Sequence, residues 1–309
     1  RMIASPQKAS IKRLCELFGY SRQAWYDHGW HVDDCRMRED EIVELVKNQR
    51  KNGRFGARTL LDMMGSELEE RGLNIGRDKL LDLLRERGML VRPKRKHVST
   101  TNSRHHYRKW PYLLENLAIT QAEQVWVCDI TYIRTKGGFL YLFLITDAYS
   151  HKVMGFHLSH TMEAKGAVSA LRMALSQRMY PERKLIHHSD RGVQYCSTNY
   201  VKVLQDAGIE ISMTEGASPH QNTIAERINR TFKEQLYMDQ TFDGYKDAMA
   251  CLMNAVRVYN HQRPHSSCSR MTPEEAHKTN VPLKREWKSY GNKRPSAEAL
   301  GALHTTSQV

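Results

Sequence analysis

Apolar positions recur along this chain first with a helical and then with a strand period. Between residues 8 and 27, Ile11, Leu14, Leu17 and Phe18 fall at helical spacing before Gly19-Tyr20-Ser21 breaks the run. Ser21 is a good cap for a second short helix through Tyr26, so a small helix-turn-helix is predicted. The theme repeats over 40–88: Ile42, Val43, Leu45 and Val46; then Leu60, Leu61, Met64 and Leu68; then Leu80, Leu81, Leu83 and Leu84. Gly72 and Gly88 punctuate the last two segments as C-terminal caps. From residue 125 the period becomes two. Stretches 126–134, 139–146 and 152–158 read as strands, with a hairpin turn at Lys136-Gly137-Gly138. A helix carrying Ala167, Leu171, Ala174 and Leu175 follows, then a strand into Asp190, a helix over 200–207 stopped by Gly208, and a short strand over 209–213. Helices over 222–237 and 245–259 close the pattern, and residues after Lys284 are polar. A three-strand meander followed by alternating helix and strand predicts a layered α/β fold behind an all-α front end.

Five segments are expected: a short helix-turn-helix over 1–38, a helical DNA-binding domain over 39–90, a basic linker over 91–118, a catalytic core over 119–284 and a polar tail over 285–309. Charge sharpens this division. The chain carries a net +13, and residues 1–112 hold 24 Lys/Arg against 15 Asp/Glu, so the front end is the basic part. Such an excess points to a polyanionic partner. The third helix of the front end opens at Gly76-Arg77-Asp78-Lys79, which offers Arg77 and Lys79 to DNA. In the linker, Arg92, Lys94, Arg95 and Lys96 are interleaved downstream with His105, Tyr107 and Trp110, a mixture suited to phosphates and base faces. An ordinary three-helix bundle and a disordered tether are the bland alternatives for these two segments. No apolar run reaches the 18 residues a membrane span needs. Six scattered cysteines without a C-x-x-C pair read as reduced intracellular thiols, and a cytoplasmic, nucleoid-associated location is expected.

Three acids carry the chemistry. Asp129 ends the apolar run 125–128, Asp190 ends 185–189, and Glu226 lies early in the helix over 222–237. Singly, each has a plain explanation: a turn or cap aspartate, a turn before Gly192, a solvated helix residue. Jointly, two strand-end aspartates followed by a helical glutamate are what a two-metal phosphoryl-transfer site requires. Lys233 lies two helical turns beyond Glu226 on the same face, with Arg230 and Asn222 at plus and minus four, an arrangement suited to a DNA strand crossing the metals. An intrahelical salt-bridge pattern is the competing reading of those cations. His187 and His188 are weak candidates, since hard cations prefer oxygen. Asp147 is a possible fourth acid, although Ala148-Tyr149-Ser150 reads as a turn.

At these residues the chain resembles OrfB-type DDE transposases of bacterial insertion sequences, specifically insertion sequence family three, whose core is similar to retroviral integrase. The matching text is 126–133 (WVCDITYI), 188–195 (HSDRGVQY), 222–227 (NTIAER) with Lys233, and Tyr259-Asn260 through Arg263-Pro264-His265 to Thr272-Pro273. Residues 53–58 (GRFGAR) resemble that family's upstream helix-turn-helix. Gln221 and His151 depart from the family pattern, where Asp and Arg are usual. The resemblance implies an RNase H-like core with a mixed five-stranded sheet, and two Mg²⁺ or Mn²⁺ ions held by Asp129, Asp190 and Glu226. It also implies DNA contact by Lys233, and a homo-oligomer acting on double-stranded element ends and target DNA. The expected activity is cleavage at element ends and strand transfer by 3′-hydroxyl attack. A same-fold nuclease without strand transfer and a non-catalytic DNA-binding repressor are the rivals.

Overall fold

A computed structural model describes residues 10–91, 106–215, 219–279 and 281–283. The front end is helical: α1 (Ile11–Phe18), α2 (Arg22–Arg50), α3 (Ala57–Glu70) and α4 (Arg77–Glu86). Ser10 and Ser21 cap α1 and α2 through their side chains, and Gly19 ends α1 in the left-handed region. One expectation fails here. The second helix does not stop at Tyr26 but runs for 29 residues, straight through the segment boundary expected at residue 38. Nothing between 22 and 50 except Gly29 opposes a helix, and a polar surface does not end one when the last turns are anchored. That anchor is Ile42, Val43, Leu45 and Val46, which pack with Leu60, Met64, Leu80 and Leu84 in one buried cluster.

The core contains β1 (Val125–Thr135), β2 (Gly138–Asp147), β3 (Val153–Ser159), α5 (Ala164–Ser176), β4 (Ile186–Ser189), α6 (Val193–Cys196), α7 (Thr198–Asp206), β5 (Glu210–Met213), α8 (Thr223–Gln235), α9 (Tyr245–His261) and α10 (Pro273–Lys278). Its sheet has the order β3-β2-β1-β4-β5: the meander is antiparallel, whereas β4 joins β1, and β5 joins β4, in parallel. This is the mixed five-stranded sheet expected of an RNase H-like fold. Alternation along β1 sorts its side chains. Trp126 and Cys128 pack with α5 and α7, while Val125 and Val127 face Ala225 of α8. α6 and α10 are too short to leave a periodic signal. α10 is instead set by Thr272, which caps it in a reciprocal box with Glu275 ahead of Pro273.

Two boundaries shift. Half of the expected linker belongs to the core: Trp110 packs with the α5 face, and Leu114 and Leu117 pack with Val125 and Val127. The backbone there is tied to β5, Met213 N–H donating to Pro111 and Leu113 N–H to Ser212 Oγ. The helical front end is also docked on the core. Arg54 N–H donates to the Gln235 carbonyl at the end of α8 (2.7 Å), and its guanidinium pairs with Asp239 (2.9 Å) and lies over the Tyr237 ring. Tyr237 in turn donates to the Arg50 carbonyl (2.6 Å), and fully buried Phe55 joins the same apolar cluster as Phe232 of α8.

Asp147 is not a fourth site acid. It is buried, accepts from Ser150 N–H and Oγ (both 2.8 Å) and from Glu123 N–H (2.7 Å), and so closes the turn after β2. Glu123 completes this network. Burial alone would push its carboxyl up, but His277 Nε2 (3.3 Å), Met179 N–H, Arg178 Nε and Tyr180 N–H hold it at about 2.

Two outcomes follow for stability. Because Glu123 titrates below its unfolded value of about 4.3, its contribution is complete above that pH and disappears as pH falls towards about 2. Glu123→Ala should cost on the order of 3–5 kcal/mol at neutral pH, leaving Arg178 buried and unpaired. Urea titrations of both proteins at pH 7 and pH 3 should show the gap narrowing in acid. Separately, a Cβ at Gly53 would stand 2.6 Å from the Phe55 ring and 2.8 Å from the Gln235 carbonyl oxygen. Gly53→Ala should therefore lose roughly 1–3 kcal/mol in thermal melts.

Candidate active site

The parallel ladder between β1 and β4 pairs Val125 with Ile186, Trp126 with His187 and Val127 with His188. Two residues further along the two chains stand Asp129 and Asp190, so the register brings these acids side by side. Asp190 immediately follows β4 as expected. Asp129, expected at a strand end, is the fifth residue of an eleven-residue strand and still pairs with Leu144 of β2. It is the partnership with β4 that ends there, not the strand.

α8 covers this face of β1 with Asn222, Glu226, Asn229 and Lys233, four positions that helical spacing puts on one side. Asn222 Nδ2 donates to the Cys128 carbonyl (3.0 Å), and Asn229 Nδ2 donates to Asp129 Oδ2 (2.8 Å). Both asparagines are buried, and each leaves its Oδ1 without a hydrogen bond. Glu226 is exposed at the rim of the site, and its charge reaches Asp129. Lys233 is partly buried; desolvation pulls its ammonium down, while Asp129 and Asp239 pull it up. Asn229 was missed in the sequence, although its place seven residues after Asn222 and three after Glu226 carries the signal.

The electrostatics are those of a crowded anionic pocket. Burial pushes Asp129 up to about 7, and the charges of Asp190 and then Glu226 add to the shift. Hydrogen bonds from Ile130 N–H (2.8 Å) and Asn229 oppose it only in part. Asp190 Oδ1 accepts from Gly192 N–H (2.9 Å), the turn expected from the sequence. The histidines act as braces. His188 spans Ser212 Oγ (2.9 Å) and the Gln221 carbonyl (3.1 Å), which fixes the start of α8 against β4. His187 meets Tyr200 OH (2.8 Å) on the opposite face. Burial holds them at about 4 and about 3, as neutral rings.

The remaining expected contacts lie apart or open to solvent. Arg230 is exposed on α8, one turn beyond Glu226. Arg77 and Lys79 are exposed at the start of α4, with Arg77 paired to Asp78 (2.7 Å). Arg92, Lys94, Arg95 and Lys96 lie outside the described residues. Among the described residues, the acids do not form a set with ligand atoms within 4.8 Å of one another; His151, His265 and Cys268 do. Burial and the neighbouring charges of His151, Arg263 and Arg227 depress His265 to about 2, an environment that opposes a cation.

Comparison with known proteins decides the family. Models described as integrase core domain match residues 119–219 and 207–273. A 31 kDa protein of insertion element IS600 from Shigella sonnei is 35% identical, covering 84% of this chain and 96% of that protein. The transposase InsF of insertion sequence IS3A from Escherichia coli K12 is 30% identical, covering 88% of this chain and 95% of that protein. This chain belongs to the IS3-type transposases. It is thus an enzyme of the polynucleotidyl-transferase kind, with an integrase-like core that serves DNA transposition and integration. The HTLV-2 integrase catalytic core, solved in complex with magnesium, is 18% identical with a TM-score of 0.42, over 51% of this chain and 97% of that one. No described helix of this transposase is long and apolar enough to cross a membrane.

The raised Asp129 carboxyl makes a stability prediction. Its folded value lies above the unfolded value of about 3.9. The protein without metal is therefore penalised progressively as pH rises from about 4 to about 7. Asp129→Asn should stabilise the protein at pH 8 by about 1–2 kcal/mol, read in thermal melts, after allowance for the partial exposure of the carboxyl. The gain should vanish at pH 4.

Proposed function

We propose that Asp129, Asp190 and Glu226 are the metal-binding and catalytic acids of this transposase. In this reading it cuts double-stranded DNA at insertion-element ends and joins them to target DNA by 3′-hydroxyl attack. The observation that carries this is the adjacency of Asp129 and Asp190 at the end of the β1–β4 ladder, beneath the helix that bears Glu226.

The donor set fits divalent cations. The pocket offers carboxylate oxygens, the ligands hard ions such as Mg²⁺ or Mn²⁺ prefer. Asp129 is bonded by neutral donors, and like charge forces its carboxyl up, a repulsion that bound cations relieve. In two-ion sites built on such carboxylates the ions stand roughly 3.5–4 Å apart. Asp129, Asp190 and Glu226 would hold them. When bound, such ions supply a nucleophile at neutral pH and stabilise the charge that develops on the scissile phosphate. The chain's own residues do the rest. Asn229 orients Asp129, Asn222 ties the start of α8 to β1, and His188 braces the loop that leads into α8. Lys233, drawn towards Asp129 and half-buried, receives a DNA phosphate as the strand crosses the acids. Arg230, Arg77, Lys79 and the basic stretch Arg92, Lys94, Arg95 and Lys96 add phosphate contacts outside the reacting centre, on a homo-oligomer assembled on DNA.

The test uses labelled element-end DNA, uncut and pre-cut, with and without Mg²⁺. Asp129→Asn, Asp190→Asn and Glu226→Gln should each lower cleavage and strand transfer by on the order of 10²–10³-fold or more while DNA is still bound. Retention of Mg²⁺-dependent cleavage by any of them overturns that residue's assignment. Cleavage of uncut ends without joining of pre-cut ends would favour the nuclease. Lys233→Ala should weaken binding to all sequences and reduce the salt slope of log K by about 1.

A further inference from the structure

The first half of α2 is a helix without a core. Its buried residues are only Ile42, Val43, Leu45 and Val46, so the turns from Arg22 to Asp40 project from the helical front end with α1 beside them. This arm exposes large apolar groups: Trp30 is 67% and Met37 63% accessible, and Trp25 and Tyr26 are also exposed. Tyr26, Gly29, Trp30, Asp33 and Met37 recur at helical spacing, so they form one stripe, with Arg22 at its start. An apolar stripe of this length on a soluble helix marks a contact surface.

Charge decides against DNA as its occupant. In a chain of net +13, the stretch Ile11–Asp40 holds five Lys/Arg against six Asp/Glu. The pattern of the stripe favours a second copy of itself. In an antiparallel pair with its twofold axis between Asp27 and His28, Trp25 faces Trp30 and Arg22 faces Asp33. In the same register Tyr26 faces Gly29. That last pairing accounts for an otherwise unexplained residue. Gly29 sits inside a helix, where it weakens the helix relative to alanine, yet a Cβ there would meet nothing within 4 Å. A ring from a partner helix fills such a gap, because glycine lets two helices approach closely.

We propose that the α1–α2 arm is a self-association surface, in which two copies of the transposase pair antiparallel along the Tyr26–Gly29–Trp30 stripe. The proposal rests on the homo-oligomer reading above and gives it a surface; it does not involve the acids. Two arms bury their aromatic rings against each other, and the Arg22–Asp33 pairs fix direction and register at either end. The front end of each copy then holds its partner while the basic module and the acid site stay free for DNA.

Sedimentation equilibrium of the full chain without DNA, at micromolar concentration, tests it. The wild type should be a dimer. Trp30→Glu and Gly29→Leu should each raise the dissociation constant at least about tenfold. Circular dichroism should show no loss of helix in Gly29→Leu, since leucine is the better helix former. Arg22→Asp and Asp33→Arg should each weaken the dimer, and the two together should restore it. A monomeric wild type, or a dimer indifferent to Gly29→Leu and Trp30→Glu, overturns the proposal. Failure of the double exchange to restore association overturns the antiparallel register. Asp129→Asn should dimerise like the wild type whatever its effect on cleavage, so failure of the acid assignment and failure of the arm are read separately.

Discussion

Three residue pairs of parallel ladder, between β1 and β4, are the constraint on which this molecule's chemistry depends. β1 is already committed to β2 along its whole length by antiparallel pairing, so Asp129 is fixed on a long, rigid strand. β4 is short and ends at Ser189. Its pairing with β1 is just long enough to set a register and just short enough to release Asp190 beside Asp129. A slip of one residue would send Asp190 to the α5 face, because side chains alternate along a strand. His188 holds that register from above by spanning Ser212 of β5 and the loop before α8. The sheet edge, the loop and α8 are thereby locked to one another by a neutral, buried imidazole.

The second constraint is the helix laid over the ladder. α8 is amphipathic, but what seats it is a pair of asparagines, one on the Cys128 carbonyl and one on Asp129 itself. Amides can bond to a carboxylate without cancelling its charge, so Asn229 fixes Asp129 in place and leaves it without a cationic partner of its own. A lysine or arginine at position 229 would form a stronger pair and would occupy the ligand. The far end of α8 is held differently, by Arg54 and Phe55 from the helical front end and by Tyr237, just after α8, which donates to the Arg50 carbonyl. The front end is therefore part of the frame that positions the rim of the site, and not a separate bead on a tether.

Much of this was legible in the sequence, and the gaps have physical causes. Periodicity located the meander, α5, α7, α8 and α9, and the glycines marked the helix ends. It missed the length of α2 because Gly29 and Asp33 interrupt the stripe of Tyr26, Trp30 and Met37 ahead of the denser apolar positions from Ile42. It treated Trp110, Leu114 and Leu117 as linker because extended segments that dock on a sheet edge have neither period. Spacing singled out the three acids and Lys233 as candidates but passed over Asn229, since an uncharged amide attracts no notice until a carboxylate is seen beside it. Asp147 and Asp129 look alike in sequence, each closing an apolar strand segment, and only their partners distinguish them.

That distinction is general within this fold. Glu123 and Asp129 sit on the same stretch of chain, Glu123 fully buried in the turn before β1 and Asp129 partly buried within the strand. Glu123 has donors on every side, from an arginine, a histidine and two backbone N–H groups, and its carboxyl falls to about 2. Asp129 has two neutral donors and a second carboxylate as neighbour, and rises to about 7. The buried acid that is fully satisfied ties β1 to α10 and to the turn after β2; the one left short of positive charge is ready for a cation. Glu123 thereby anchors the chain where it enters β1, six residues before Asp129. Two carboxylates six residues apart thus shift in opposite directions, according to the donors and charges that surround each.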